Sequence, residues 1–312
     1  MQEEPFDISQ LFEEKQETLQ LDWLIAKNSR RVLTLQHAGD YGSELIGHFN
    51  PVHPERLHVI GIPEIQWISS TPSDLCERLL DDMLQNESLG FFIADGLPVP
   101  SLILEACEKS HTPLFTTQLN GTYLIEKLRR FLARRMAEVV HEHGVLMDVF
   151  GLGVLITGAS GVGKSELALE LLSRGHGLVA DDSVELARVA PNVLDGRCPL
   201  VLRDFLEVRG LGLLNIRTIF GENACRRKIR LQIVIELKKP EVGEGAERLP
   251  IDAQTQEILT IPVRKVMLPV AAGRNLAVLL EAAVRNYILL LRGIDSTREF
   301  MLRQQDAMQG NS

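Results

Sequence analysis

Residues 154–182 read VLITGASGVGKSELALELLSRGHGLVADD, and the fold follows from how that stretch is parsed. Val154-Leu155-Ile156-Thr157 is an apolar run that reads as a buried strand. Gly158-Ala159-Ser160-Gly161-Val162-Gly163-Lys164-Ser165 then matches G-x-x-x-x-G-K-[ST] in full. Leu167, Leu171 and Leu172 follow at helical spacing. Strand, glycine-rich turn and helix in that order predict a loop that turns several N–H groups onto a phosphate chain. The positive end of the helix dipole stands behind it. In such a loop Lys164 reaches the β- and γ-phosphates of a nucleotide, and the Ser165 hydroxyl serves Mg²⁺.

Sixteen residues after Ser165 stand two adjacent carboxylates, Asp181 and Asp182, at the end of a second apolar run, Leu178-Val179-Ala180. The strand bearing the acids therefore follows the phosphate loop's own helix directly. One acid can help hold a metal while the other faces an attacking hydroxyl. A switch GTPase needs a metal-binding acid and a positioned water, whereas a kinase needs a base for the acceptor's proton. A solvated turn would need neither.

The rest of the composition narrows the class. At 312 residues the chain suggests two domains, and 45% hydrophobic with 24% charged residues is ordinary for a soluble globular protein. A net charge of −9 argues against nucleic acid as a partner. Met1-Gln2-Glu3-Glu4 is acidic and opens no signal peptide, and the longest uncharged stretches are too short to span a bilayer. Cys76, Cys107, Cys198 and Cys225 are scattered, with no C-x-x-C, which fits a reducing cytoplasm without disulfides or a zinc site.

Residues 1–132 read as a small α/β domain. Strands are expected at Arg31–Gln36, Leu57–Ile62, Ile65–Ser69, Phe91–Ala94 and Pro113–Thr117, with helices at Ser73–Leu84 and Pro100–Glu108. His37, His48, His53 and His58 lack metal spacing, so packing, assembly or sensing is the expected role. A helix follows, in which Leu124, Leu128, Phe131, Leu132, Met136 and Val139 recur every three or four residues. Arg129, Arg130, Arg134 and Arg135 among them give either an anion-binding face or a solvated one. The boundary falls near residue 132, inside this helix, and the second domain runs over 133–312.

Val145–Phe150 and Val154–Thr157 flank Gly151-Leu152-Gly153 and predict a hairpin feeding the phosphate loop. His143 sits just before it. Topology would bring this histidine near the two acids, where an imidazole can tune a carboxylate.

HGVLMDVFGLGVLITGASGVGKSELALELLSRGHGLVADD resembles the catalytic domain of the bifunctional HPr kinase/phosphorylase family. The likeness continues through Leu206-Glu207-Val208-Arg209-Gly210-Leu211-Gly212-Leu213-Leu214-Asn215 and through Pro269-Val270-Ala271-Ala272-Gly273-Arg274-Asn275-Leu276-Ala277. Ala159 stands where many members have Asp, and Ala271-Ala272 where a basic residue and Pro are commoner. The resemblance implies an enzyme of bacterial carbon control. It would phosphorylate a serine of HPr, the phosphocarrier of the sugar phosphotransferase system, with ATP and Mg²⁺. It would also remove that phosphate with inorganic phosphate, releasing pyrophosphate. It further implies a homohexamer and a P-loop core of the type shared with phosphoenolpyruvate carboxykinase. Under it Asp182 is the acid–base, His143, Lys164 and Arg248 are catalytic, and Ser165 and Glu207 serve the metal. Asp181, Arg209, Gly210, Pro269, Gly273 and Arg274 support them.

Arg248 lies in Lys238–Arg248, a Gly-, Pro- and charge-rich loop, and Asn275 caps a helix whose face runs from Leu276 to Leu291. Gly293 ends it, and a more polar helix follows to about Met308, poor in apolar anchors. Two other readings stay open from the residues alone. One is a nucleotide-binding switch without phosphoryl transfer. The other is a phosphoenolpyruvate-carboxykinase-like enzyme, for which the chain looks short.

Overall fold

The computed structural model describes residues 6–33, 45–51, 55–85, 88–239, 254–271 and 273–309. The chain divides into two compact α/β units, Met1–Ala137 and Glu138–Ser312.

In the first unit Ile46–His48, Leu57–Ile60, Gly90–Ile93 and Leu114–Thr116 pair in parallel, and Asp22–Ile25 adds an antiparallel edge. Strand side chains alternate between two cores, as a sheet covered on both faces requires. Val59, Phe92 and Phe115 pack with Leu11 of helix Ile8–Leu19 and Leu124 and Leu128 of helix Gly121–Arg135. Ile60, Phe91, Ile93 and Leu114 pack with Leu80 of helix Ser73–Gln85 and Ile103 of helix Ser101–Ser110.

Two expectations fail here. Ile65–Ser69 is not a strand but part of helix Ile62–Ser70. The Gly61 N–H donates to the Glu64 carboxylate at 2.8 Å, capping the helix start, and Ile65 and Ile68 lie three apart on the face toward the core. The spacing of three outweighs the β-branched content. Likewise Val139 does not continue the linking helix, which ends at Arg135; it belongs to strand Glu138–His143. Three arginines of that helix have partners within the unit. Arg129 donates to the Ile46 carbonyl, Arg130 pairs with Glu126, and Arg135 with Glu14.

The second unit is organised by a sheet running Gly177–Ala180, Val145–Val149, Leu152–Gly158, Lys228–Lys238, Val193–Arg197, Ser183–Ala190, Glu138–His143. Ile261–Pro269 also pairs with Lys228–Lys238, and Gln254–Ile258 with Ile261–Pro269. The hairpin forms as its pattern predicts: Phe150 (φ 55°) and Gly151 (φ 84°) make a two-residue turn with both φ positive, and Asp148 Oδ1 accepts from the Gly151 N–H at 2.9 Å. Val154 and Ile156 pack under helices Lys164–Ser173 and Leu276–Leu291, whereas Leu155 and Val234 pack with Leu186, Leu194 and Ile261. Leu152–Gly158, Lys228–Lys238 and Ile261–Pro269 run parallel with Gly158, Leu237 and Leu268 in register. Their carboxyl ends thus lie level, at the edge where α/β sheets place their chemistry.

Asn275 caps the helix that follows, accepting from the Val278 N–H at 2.9 Å, and also donates to Glu170 on the phosphate-loop helix at 2.9 Å. At the far end of that helix Arg174 grips Glu281 with two hydrogen bonds of 2.9 and 2.7 Å, and the buried His176 adds a third at 2.9 Å. Glu281 therefore joins the two helices. The Arg174 hydrogen bonds hold the Glu281 carboxyl at about 2 against the opposing effect of burial, and the His176 hydrogen bond adds a smaller lowering. A carboxyl depressed on folding stabilises the fold above its ordinary value of 4.5, and that contribution disappears as pH falls toward about 2. Glu281→Gln is expected to lower the melting temperature at neutral pH and to flatten its fall across this acid window. Melting curves of both proteins over the pH series check it; parallel curves would show that Glu281 is not a stabilising link.

Candidate active site

A cleft of about 280 Å³ opens at the level carboxyl ends of the parallel strands. Three segments converge on it, and each arrives for a separate backbone reason.

The first is the phosphate loop. Gly158 (φ 138°) lies so close to the next strand that a Cβ would stand 2.5 Å from the Leu237 carbonyl, so only glycine fits there. The chain then rises away from the sheet, Val162 drops into the core, and Ser160, Gly161, Gly163, Lys164 and Ser165 line the cleft. Lys164 is buried, and its ammonium donates to the carbonyls of Gly158 and Ala159 at 3.0 and 3.3 Å. A compact positive charge is thereby centred in the loop.

The second segment is the end of strand Gly177–Ala180. Asp181 is buried, and its Oδ2 accepts from the Glu207 N–H at 2.8 Å. Burial raises its carboxyl above the ordinary value, and the nearby Asp182 and Glu207 carboxylates add to this, while the amides of Glu207 and Asp182 oppose it. Asp182 adopts φ 63°, a left-handed conformation that Asp tolerates better than most residues. Strand Ser183–Ala190 then runs antiparallel to Glu138–His143 with Ser183 opposite His143. That register sets His143 Nδ1 3.1 Å from Asp182 Oδ1, with both side chains exposed to the cleft. Gly144, whose N–H reaches the Asp182 carbonyl, lets the chain cross from that edge into the hairpin: a Cβ there would stand 2.6 Å from the Ile156 carbonyl.

The third segment is the two-stranded ladder Phe205–Val208 with Gly212–Asn215. Leu206 and Val208 are buried, which turns Glu207 and then Arg209 toward the cleft. Gly210 (φ 87°) and Gly212 (φ 82°) make the turn.

Pro269, Gly273 and Arg274 do not line the cleft. Pro269 ends the outer of the three parallel strands, paired with Lys238, and Arg274 is exposed at the start of helix Leu276–Leu291. Arg248 lies outside the described residues. Glu166, which lines the cleft beside Ser165, was not singled out from the sequence; an acid in the first turn of a helix is too common to signal a site.

The donors fit a shared metal better than a resident one. Among the described residues no group of three His, Cys, Asp or Glu forms a metal cluster. Asp181, Asp182 and Glu207 nevertheless crowd together, and a divalent cation would relieve their repulsion. Mg²⁺ commonly takes one or two protein ligands and completes its shell with phosphates and water.

Comparison with known proteins follows these features along nearly the whole chain. Residues 6–132 match the HPr Serine kinase N terminus, and residues 134–304 match the HPr Serine kinase C-terminal domain. The chain belongs to the HPr serine kinase family. It is 48% identical over 305 residues to the HPr kinase/phosphorylase of Aromatoleum aromaticum, covering 97% of each chain. It is 49% identical over 298 residues to that of Chromobacterium violaceum, covering 95% and 94%. Among solved structures, the HPr(Ser) kinase/phosphatase of Coxiella burnetii aligns with 37% identity and a TM-score of 0.46, over 52% of this chain and 98% of that one. Among the described residues no helix is long and apolar enough to cross a membrane.

The loop centres the Lys164 ammonium where a bound polyphosphate would meet it. Lys164→Ala is expected to leave the melting curve near that of the parent and to weaken Mg²⁺–ATP binding by at least an order of magnitude. Isothermal titration checks it, and unchanged affinity would show that the loop does not hold the nucleotide.

Proposed function

We propose that this chain transfers a phosphoryl group from ATP, or from pyrophosphate in its place, to a regulatory serine of HPr, and that it reverses the transfer by phosphorolysis in the control of carbon metabolism. The observation that carries the reading is the pairing of Asp182 with His143 across one cleft from Lys164. A nucleotide switch needs a phosphate loop but no exposed carboxylate–imidazole pair beside it. Family membership supplies the identity of the acceptor.

In the forward direction Asp182 takes the proton of the serine hydroxyl as its oxygen attacks the terminal phosphorus, and the bond to the bridging oxygen breaks to release ADP. In reverse an oxygen of inorganic phosphate attacks the phosphorus of phosphoserine, Asp182 returns the proton to the departing serine oxygen, and pyrophosphate forms. His143 orients the Asp182 carboxylate, and Lys164 neutralises the charge on the transferring group. Ser165, Glu207 and Asp181 would hold Mg²⁺ with the phosphates; when bound, the ion screens their charge. Arg248 completes the catalytic set in this reading. The same reading gives the second unit a nucleotide-binding core like that of phosphoenolpyruvate carboxykinase, makes residues 1–132 an assembly or regulatory domain, and makes the protein a cytoplasmic homohexamer.

The first test is mass analysis of HPr after incubation with ATP and Mg²⁺, and again after inorganic phosphate is added. One phosphate gained and then lost, with pyrophosphate released, is expected. An unmodified HPr would overturn the reading in favour of a switch. Asp182→Asn tests the shared acid–base. Asn tolerates the same left-handed backbone, so the fold is preserved, and both directions should slow by roughly 10²-fold or more. Loss of a single direction would refute the common role.

Arg274 is assigned chiefly to reversal in this reading. Its cation stands at a helix start, where the dipole disfavours it, so an anion is the better explanation. Phosphorolysis requires a site for free phosphate that the forward reaction does not. Arg274→Ala is therefore expected to impair phosphorolysis more than phosphorylation, with a raised phosphate requirement when phosphate is titrated. Equal losses with an unchanged requirement would make it a general contact.

A further inference from the structure

At about 280 Å³ the cleft is near the lower limit for small-molecule sites, so a folded protein acceptor enters it only with its serine side chain. The residues flanking that serine must rest on the rim.

The rim's surface is set by a register. In the ladder Phe205–Val208 with Gly212–Asn215, Glu207 stands directly opposite Leu213, and opposed residues share one face. Glu207 lines the cleft, so Leu213 lies on the cleft side of the ladder, yet it is 65% exposed. Its neighbours behave as an amphipathic ladder should: Leu206 is buried in the core, and Leu214, its cross-strand partner, packs against it. At the turn, Leu211 is 64% exposed, two residues past Arg209, which also lines the cleft. Single exposed apolar residues are ordinary. Leu213 opposite a cleft-lining carboxylate and Leu211 at the turn beyond Arg209, on a cleft that must admit a protein, call for an occupant.

We propose that Leu211 and Leu213 form the rim on which the protein substrate seats the apolar side chains around its target serine. The inference rests on the protein-serine kinase reading above. A second copy of this chain is the poorer occupant, because a copy seated on Leu213 would cover the face that carries Glu207 and close the cleft.

The test uses full-length Leu213→Asp and the double variant Leu211→Asp/Leu213→Asp, with HPr and ATP titrated separately. The KM for HPr is expected to rise roughly tenfold or more, as for a central apolar contact, while the KM for ATP and the kcat at saturating HPr stay within about twofold. Leu213→Met, which restores an apolar surface, should return the KM for HPr to near the parent value. An unchanged KM for HPr in an active variant overturns the inference. So does a parallel rise in the KM for ATP, which would make the ladder part of the nucleotide site. A fall in assembled mass by light scattering, with kinetics unchanged, would assign the patch to a subunit contact instead. If the parent protein binds ATP but leaves HPr unmodified, the kinase reading itself fails and this rim falls with it.

Discussion

The amide N–H of Glu207 donates to the buried carboxylate of Asp181 at 2.8 Å, and that bond ties the ladder to the acid pair at the cleft. A buried carboxylate without partners carries a full desolvation penalty. Asp181 offsets part of it through the Asp182 amide and by drawing the ladder Phe205–Val208 against the end of strand Gly177–Ala180. With Asp181 held inward, the next residue must turn outward, which Asp182 does through its left-handed backbone. With Glu207 held by its own amide, its side chain and the residue opposite it are committed to the cleft side. Acid pair and ladder thus meet through one bond, although they are distant in sequence, and the phosphate loop reaches the same cleft by its own backbone route.

The phosphate loop and its surroundings were legible because their signals are local. A strand, a glycine-rich turn and a helix are each specified by consecutive residues, and the hairpin before them by Gly151 between two apolar runs. Asn275 and Gly293 marked the helix Leu276–Leu291 for the same reason. The failures were local too, but ambiguous. Ile65-Gln66-Trp67-Ile68-Ser69 has strand-like residue types at helical spacing, and the Gly61 start decides the outcome. Val139 continued a helical period by coincidence past a helix that had already ended.

What composition and spacing could not supply was pairing across long separations. Nothing in His141-Glu142-His143 says that it lies beside Ser183, forty residues on, and so the meeting of His143 with Asp182 could be stated from the residues only as a topological expectation. The clasp of Arg174 and His176 on Glu281 was invisible for the same reason, since one half follows the helix Lys164–Ser173 and the other lies on helix Leu276–Leu291. The exposure of Leu213 is subtler still. A leucine in Gly-Leu-Leu-Asn reads as core until the ladder's register shows which of the two leucines faces out.

Strand Glu138–His143 is the last strand on its side of the sheet, and it opens the second unit. This constrains where the chain can be divided. A fragment cut to begin at the hairpin would keep the phosphate loop, both acids and the ladder. It would lose the strand that holds His143, and would leave the backbone of Ser183–Ala190 unpaired along a new edge open to foreign strands. For anyone excising this half, the safe cut lies upstream of Glu138. Glu138–His143 is a structural part of the second unit.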